Sequence, residues 1–454
     1  MSDPVGGGLG LFGDLFSGDA VACQVSDAAW LQALLDAEAA LARAQAGSGL
    51  VPADAAAAIT AACSAERFDA DSLGRRAGGA GNPVVPLVHD LRAIVGRDVG
   101  RFVHLGATSQ DIIDTAMMLV AGRALVPMLE ALSAVADECA GLAAAHRETL
   151  IAARTLMQDA APTTFGLKAA GWLVAIDDAR RLLAHVRDER LAVQLGGAAG
   201  NLAALGGAGP AVAAAFAEEL HLNRPTLPWH TNRVRVAELG CALGVTCGVL
   251  GKLAGDLILL AQTEVAETRE QFSGGSSSMP QKSNSTNAIL TVAAARRAPG
   301  LVSTLLTTLV QEHERAAGSW HAEWATVSEL LAIAGGAAAH SRAALDGLVV
   351  DEERMQAHVA GNDGLMAEAV AARLGRSMGG DEAHQVVRAC VGAAEARRVP
   401  LRTALLEDAR VTAAISPAEL DEVLDPRGHL GTASQMIDAA LRAHDDAQLT
   451  RGTG

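Results

Sequence analysis

At 454 residues the chain has room for about three domains of ordinary size. Half of it is hydrophobic, only 3% is aromatic and Tyr is absent, so the core must be built from Leu, Val, Ala and Ile, which suits packed helices better than sheets. A formal net charge of −16 argues against a nucleic-acid or anionic-membrane surface, although a locally positive pocket on an acidic protein can still hold a small anion.

The N-terminal stretch MSDPVGGGLGLFGDLFSGDA carries acids where a secretory leader needs bases. The six cysteines, at 23, 63, 139, 241, 247 and 390, form no C-x-x-C. They read as reduced thiols of a cytoplasmic protein rather than as a disulfide framework or a zinc site. Leu191 to Ala217, the longest uncharged run, is broken by Gly clusters and Pro210 and makes a poor membrane span. A soluble protein with no membrane partner is expected.

Residues 28–46 place Trp30, Leu34, Leu35, Ala37 and Leu41 on one helical stripe. Short helices with Gly and Pro breaks continue to about residue 110. Five long helical segments follow, at 112–146, 166–195, 233–271, 286–316 and 327–348, with Pro127 the clearest interruption. Helices of that length bury their apolar stripes against one another, so a bundle is expected. The charged stretch Glu264 to Glu270 is expected near a solvated end. After residue 350 the pieces shorten, with breaks at Gly361, Gly379–Gly380, Pro400, Pro417 and Pro426. The expected fold is all-α: an N-terminal helical domain over 1–111, a central long-helix bundle over 112–350 and a C-terminal helical domain over 351–454. No strand-rich region stands out.

Three interruptions gather polar residues. In HLGATSQDIIDTA (104–116), Thr108 followed by Asp111 has capping-box spacing, and a helix start with Thr108 and Ser109 offers hydroxyls and N–H groups to an anion. Read alone, it is simply a capped helix. RTLMQDAAPTTFGLKAAGW (154–172) reads as the loop entering another long helix, with Gln158 an uncharged donor and acceptor.

The third, GGSSSMPQKSNSTN (274–287), holds Lys282, one of only three lysines beside 168 and 252. Its Gly pair allows close approach, Pro280 restricts the turn before Lys282, and Asn284 stands where it could cap a helix beginning near Ser285. A flexible linker is the plainer reading, but Met-Pro-x-Lys-x-Asn is not linker composition. GGAAGNLAALGG (196–207) follows a helix, not a strand, and so is a weak dinucleotide loop. In EHERAAGSWHAEW (312–324), His313 and His321 lie eight apart, and with Arg315 and Glu323 they favour an ion-pair network over a metal site.

These loops, in this order, resemble the fumarase/aspartase superfamily. Its G-S-S-x-M-P-x-K-x-N-P signature is matched by Gly275 to Ser285 except at the last position. The resemblance is to the cycloisomerase branch in particular, through HLGATSQDIIDT, PTTFGLKAAGW, LPWHTNRVRVAEL, APGLVSTLL and QEHERAAGSWHAEW. It implies a homotetramer with a twenty-helix core and active sites each assembled from three subunits. It also implies a small polycarboxylate substrate, no metal and no cofactor. In such enzymes a bond forms or breaks β to a carboxylate while a proton moves at the α carbon, through a dianionic aci-carboxylate that needs preorganised donors.

By this resemblance Ser276, six before the lysine, is the catalytic serine, activated by neighbouring cations and N–H groups. Lys282 and Asn284 hold the carboxylate that gathers charge, Thr108 and Ser109 hold a second one, and His104, Gln158, Asn232 and Arg315 are further substrate contacts. Many relatives carry a His in the second motif and a Glu seven beyond the lysine, whereas this chain has Leu156 and Ile289. Joint loss of that pair fits a branch whose proton partner is an internal carboxylate, giving a lactone. Ser285 replaces the usual Pro, and Asn232-Arg233-Val234 stands where Gln-Arg-Asp is common. The alternatives are a fumarate-releasing lyase of a succinyl-type substrate, like adenylosuccinate or argininosuccinate lyase, and a non-catalytic structural relative.

Overall fold

The computed structural model describes residues 12–271, 274, 275 and 277–449. Among these the chain is all-α apart from two small two-stranded sheets. It folds as two compact units. The first holds the chain up to Ala134 with Asp178–Gly255 and Thr286–Ala343; the second holds Val135–Asp177, Asp256–Ser285 and the chain from Ala344.

The first long helix, α1 (Asp27–Gly47), is capped by Ser26, whose hydroxyl accepts the Ala29 N–H at 3.2 Å. Its Leu34, Leu35, Ala37 and Leu41 are buried as the stripe predicts. The remaining long helices are α2 (Ser109–Ala145), α3 (Phe165–His185), α4 (Val234–Ala261), α5 (Thr286–Thr307) and α6 (Ser319–Leu345). Glycines on α4 let α5 approach closely: a Cβ at Gly240, Gly244 or Gly251 would lie 2.6, 2.7 or 2.5 Å from Leu305, Val302 or Ala295. The descending partner numbers make this an antiparallel pair.

Four expectations need correction, one of them the helix expected over 286–316, which ends at Thr307. The helix expected over 233–271 stops at Ala261, because Ala266 takes a left-handed φ of 51° and the Gln262 carbonyl accepts the Val265 and Ala266 N–H groups. Glu267 and Glu270 beyond it are buried, not solvated. Earlier in the chain, β1 (Leu150–Thr155) and β2 (Gln158–Thr164) form an antiparallel hairpin where a loop was expected. Leu150 and Ala152 of that hairpin pack against Val359 and Leu365 in the second unit. A second short pair joins β3 (Thr268–Arg269) to β4 (Val349–Val350).

Among the described residues three helices are long and apolar enough to cross a membrane by length and composition: α2, α4 and α5. The most apolar windows of the three are 78%, 44% and 22% buried inside the chain, respectively. Much of α5 is therefore apolar surface that its own chain leaves uncovered.

Candidate active site

In the first unit, one buried carboxylate organises the start of α2. Asp111 accepts the Thr108 N–H at 3.0 Å and the Gly196 and Gly197 N–H groups at 2.9 Å each. Its Oδ1 also lies 2.7 Å from His230 Nε2. The capping relation expected between Thr108 and Asp111 is thus present in its side-chain-to-backbone half. The glycine-rich loop gives its N–H groups to this carboxylate rather than to a phosphate. Close approach requires the glycine at 196, where a Cβ would lie 2.8 Å from His230. Among the described residues the Thr108 and Ser109 hydroxyls have no hydrogen-bond partner and remain available to a ligand.

His104, at a left-handed φ of 62°, sets Nδ1 2.6 Å from Oε1 of the buried Glu38. Burial opposes its charge, but the charge and hydrogen bond of Glu38, helped by Asp111, outweigh this and raise the imidazole pKa above its ordinary value. His104 and Ser109 line one open cleft of about 680 Å³. Arg315 donates from Nε to Gln110 Oε1 at 3.1 Å and from Nη2 to the Ala198 carbonyl at 3.2 Å. Gln110 in turn donates to the His230 carbonyl at 2.9 Å. Arg315 makes no ion pair among the described residues, so its positive charge is uncompensated. His104, Thr108, Ser109 and Arg315 are therefore tied to one helix start. Asn232 is exposed, and its Oδ1 accepts the Val234 N–H at 3.4 Å at the entry to α4.

The ion-pair network expected in 312–324 exists with a different partner. Glu323 bonds Arg233, not Arg315. Arg233 is buried, forks onto Asp114 at 2.7 and 2.9 Å, and lies over the Trp229 ring. Trp320 Nε1 donates to the same Asp114 at 3.0 Å. Burial works against the Arg233 charge, yet Asp114 and Glu323 more than offset it and hold the guanidinium as a cation. Burial likewise pushes the Glu323 carboxyl up against the pull of Arg233. We take the ionised pair as the working state, because Arg233 faces two carboxylates and cannot lose its proton. In the sequence Arg233 is only the matching middle residue of Asn232-Arg233-Val234, whose two neighbours depart from Gln-Arg-Asp. The usable signal was a second carboxylate at 114, three residues after Asp111, just before the apolar run from Ala116 to Gly122.

In the second unit the hairpin turns on Leu156 and Met157, both at positive φ (49° and 66°) and 97% and 70% exposed. That is a type I′ arrangement, which normally selects Asn-Gly. Gln158 opens β2, is exposed, and donates to the Met157 carbonyl. Behind the tip, Arg154 grips the buried Glu267 with two bonds of 2.8 Å. His358 Nδ1 lies 2.7 Å from the same carboxylate. This clamp, unforeseen from sequence, explains how a charge at 267 is tolerated in the interior.

The third loop also lies in the second unit. Gly274 and Asn284 exchange two backbone hydrogen bonds of 3.0 and 2.9 Å, closing the loop at its base. Within it the Lys282 N–H donates to the Met279 carbonyl at 3.1 Å, a turn with Pro280 at its second position. Lys282 is exposed. Because α5 starts at Thr286, Asn284 stands one residue ahead of the cap position expected for it. Ser276 lies outside the described residues. No group of three or more His, Cys, Asp or Glu that could hold a metal is found among the described residues.

Comparison with known proteins adds to this geometry. The family described as Lyase matches residues 17–300, and that described as Adenylosuccinate lyase C-terminus matches 364–440. The chain is 45% identical over 441 residues to 3-carboxy-cis,cis-muconate cycloisomerase of Pseudomonas aeruginosa, covering 96% of each chain. It is 41% identical over 453 residues to nitrosuccinate lyase of Streptomyces davaonensis, covering 96% of this chain and 95% of that one. Among solved structures, 3-carboxy-cis,cis-muconate lactonizing enzyme from Pseudomonas putida superposes with a TM-score of 0.89 at 41% identity, covering 96% of this chain and 99% of the other.

Proposed function

The chain belongs to the lyase family of the fumarase/aspartase superfamily, and from that premise we propose that it interconverts 3-carboxy-cis,cis-muconate and 4-carboxymuconolactone. The observation that carries this reading is the 45% identity to an enzyme of that name across 96% of both chains. Leu156 and Ile289, in place of a His–Glu pair, support it further, because an internal carboxylate needs no separate acid.

In the lactone-opening direction, Ser276 as alkoxide takes the proton from the carbon α to a carboxylate. The electron pair moves into that carboxylate, whose added charge Lys282 and Asn284 stabilise. It then returns to form the new double bond as the ring oxygen departs as a carboxylate. In the closing direction the internal carboxylate attacks the β carbon and the Ser276 hydroxyl delivers the proton. Thr108 and Ser109 hold a second carboxylate at the start of α2, where free N–H groups and the helix dipole favour an anion. His104 and Arg315 add positive charge there, and Gln158 and Asn232 complete the contacts. The step calls for no metal or cofactor.

The assembly we propose is a homotetramer with sites shared between subunits. The apolar surface of α4 and α5, including exposed Val245, Ile289 and Leu306, supports burial between copies. A cytoplasmic location is supported by six free thiols, four of them buried. A second reading, a lyase releasing fumarate from a succinyl-type substrate, draws support from the 41% identity to nitrosuccinate lyase. Product analysis separates the two: 4-carboxymuconolactone from the tricarboxylate supports the first, and fumarate released from a succinyl compound supports the second.

A further inference from the structure

The cleft that holds His104 and Ser109 is also lined by Arg92 and Arg97. Among the described residues most arginines with side-chain partners face a carboxylate, as Arg43, Arg76, Arg123 and Arg154 do. Arg92 and Arg97 make no ion pair among the described residues. Arg92 donates from Nη2 to the Val103 carbonyl at 3.0 Å, a neutral acceptor, which fixes its guanidinium beside His104. Of the acids nearby, Glu38 holds His104 from behind and Asp90 is gripped by Arg76 through bonds of 2.8 and 2.5 Å, while Asp98, next to Arg97 in sequence, makes no ion pair among the described residues. A protein of net charge −16 thus gathers two unpaired guanidiniums and an imidazole around one open cavity.

We propose that Arg92 and Arg97 are specificity residues that recognise a further carboxylate of a tricarboxylate substrate, beyond the one held at Thr108 and Ser109. The proposal deepens the cycloisomerase reading and rests on its assignment of the α2 start as a carboxylate site. The Arg92 fork, presented on a rigid helix, Val84–Val95, matches a planar carboxylate better than a flexible ammonium does, and Arg97 opens the short helix that follows, Arg97–Gly100. A dicarboxylate leaves these guanidiniums solvated and gains nothing from them, so the pair separates tricarboxylates from succinyl-type compounds.

The test is calorimetric titration of the full-length wild type, Arg92→Gln and Arg97→Gln with tricarballylate and with glutarate, at low and at physiological salt. Arg97 makes no hydrogen bond among the described residues, so its variant keeps the fold even if loss of the Val103 contact disturbs the other. Wild type binds tricarballylate more tightly than glutarate. Each variant weakens tricarballylate about three- to fivefold, the scale of a partly exposed ion pair, and leaves glutarate within about twofold. The advantage of the third carboxylate shrinks with added salt. The inference is overturned if tricarballylate does not saturate wild type, if both variants bind it as wild type does, or if both lose the two ligands equally. Because the readout is binding, selective loss without any lactone formation sinks the cycloisomerase reading and spares this one. Lactone formation with unaffected variants does the reverse.

Discussion

Asp111 Oδ1 lies 2.7 Å from His230 Nε2, and this contact joins the start of α2 to the segment entering α4. The same carboxylate holds three backbone N–H groups from two separate loops. Asp111→Asn turns one acceptor oxygen into a donor aimed at donors. Each buried group so orphaned costs about 1–3 kcal/mol. We expect a melting temperature several degrees lower and turnover reduced by more than the unfolded fraction explains. Calorimetry beside steady-state kinetics checks this, and a variant matching wild type in both refutes the organising role.

The His104–Glu38 pair makes a pH-dependent contribution with a definite sign. The folded-state pKa of His104 is raised above the ordinary imidazole value of about 6.5, so the pair contributes fully below that value and fades as pH rises through the higher folded one. His104→Gln should therefore destabilise most in mildly acidic buffer and progressively less toward alkaline pH. Melting curves of both proteins across that range test it. A difference that grows with pH would have the wrong sign.

The hairpin tip sets stability against function. Two non-glycine residues at left-handed φ cost roughly 1–2 kcal/mol each, and both are apolar and exposed. Replacing Leu156-Met157 by Asn-Gly should raise the melting temperature, because that pair fits a type I′ turn. If the tip beside Gln158 meets substrate, KM rises in the same variant. A more stable protein with unchanged kinetics would remove the tip from the site.

Much of the architecture was legible in sequence because long apolar periodicity dominates it. The starts of α2 and α5, the buried stripe of α1 and the Pro280 turn were all readable. The hairpin was not, since its tip is Leu-Met rather than Asn-Gly and Pro162 sits inside its second strand. The C-terminal stop of α4 was hidden as well, because it depends on Ala266 in a conformation that favours glycine. Tertiary partners left the weakest trace. Asp111 looked like a simple cap, and nothing local linked His104 to Glu38, Arg154 to Glu267, or Arg233 to residues 119 and 90 positions away.

Ser276→Ala isolates the proposed proton carrier. Loss of a positioned acid–base group lowers the rate roughly 10²–10⁴-fold. The assembly should persist at four times the chain mass of 46.3 kDa, read by light scattering. Near-wild-type turnover would assign proton transfer to another group.

The most direct test of the central claim is the ultraviolet absorbance of 3-carboxy-cis,cis-muconate mixed with purified wild-type protein. The proposed chemistry removes the conjugated diene, so the absorbance falls with time in proportion to enzyme and 4-carboxymuconolactone accumulates. Absorbance that stays constant at high enzyme concentration, with fumarate released instead from a succinyl compound, would contradict it.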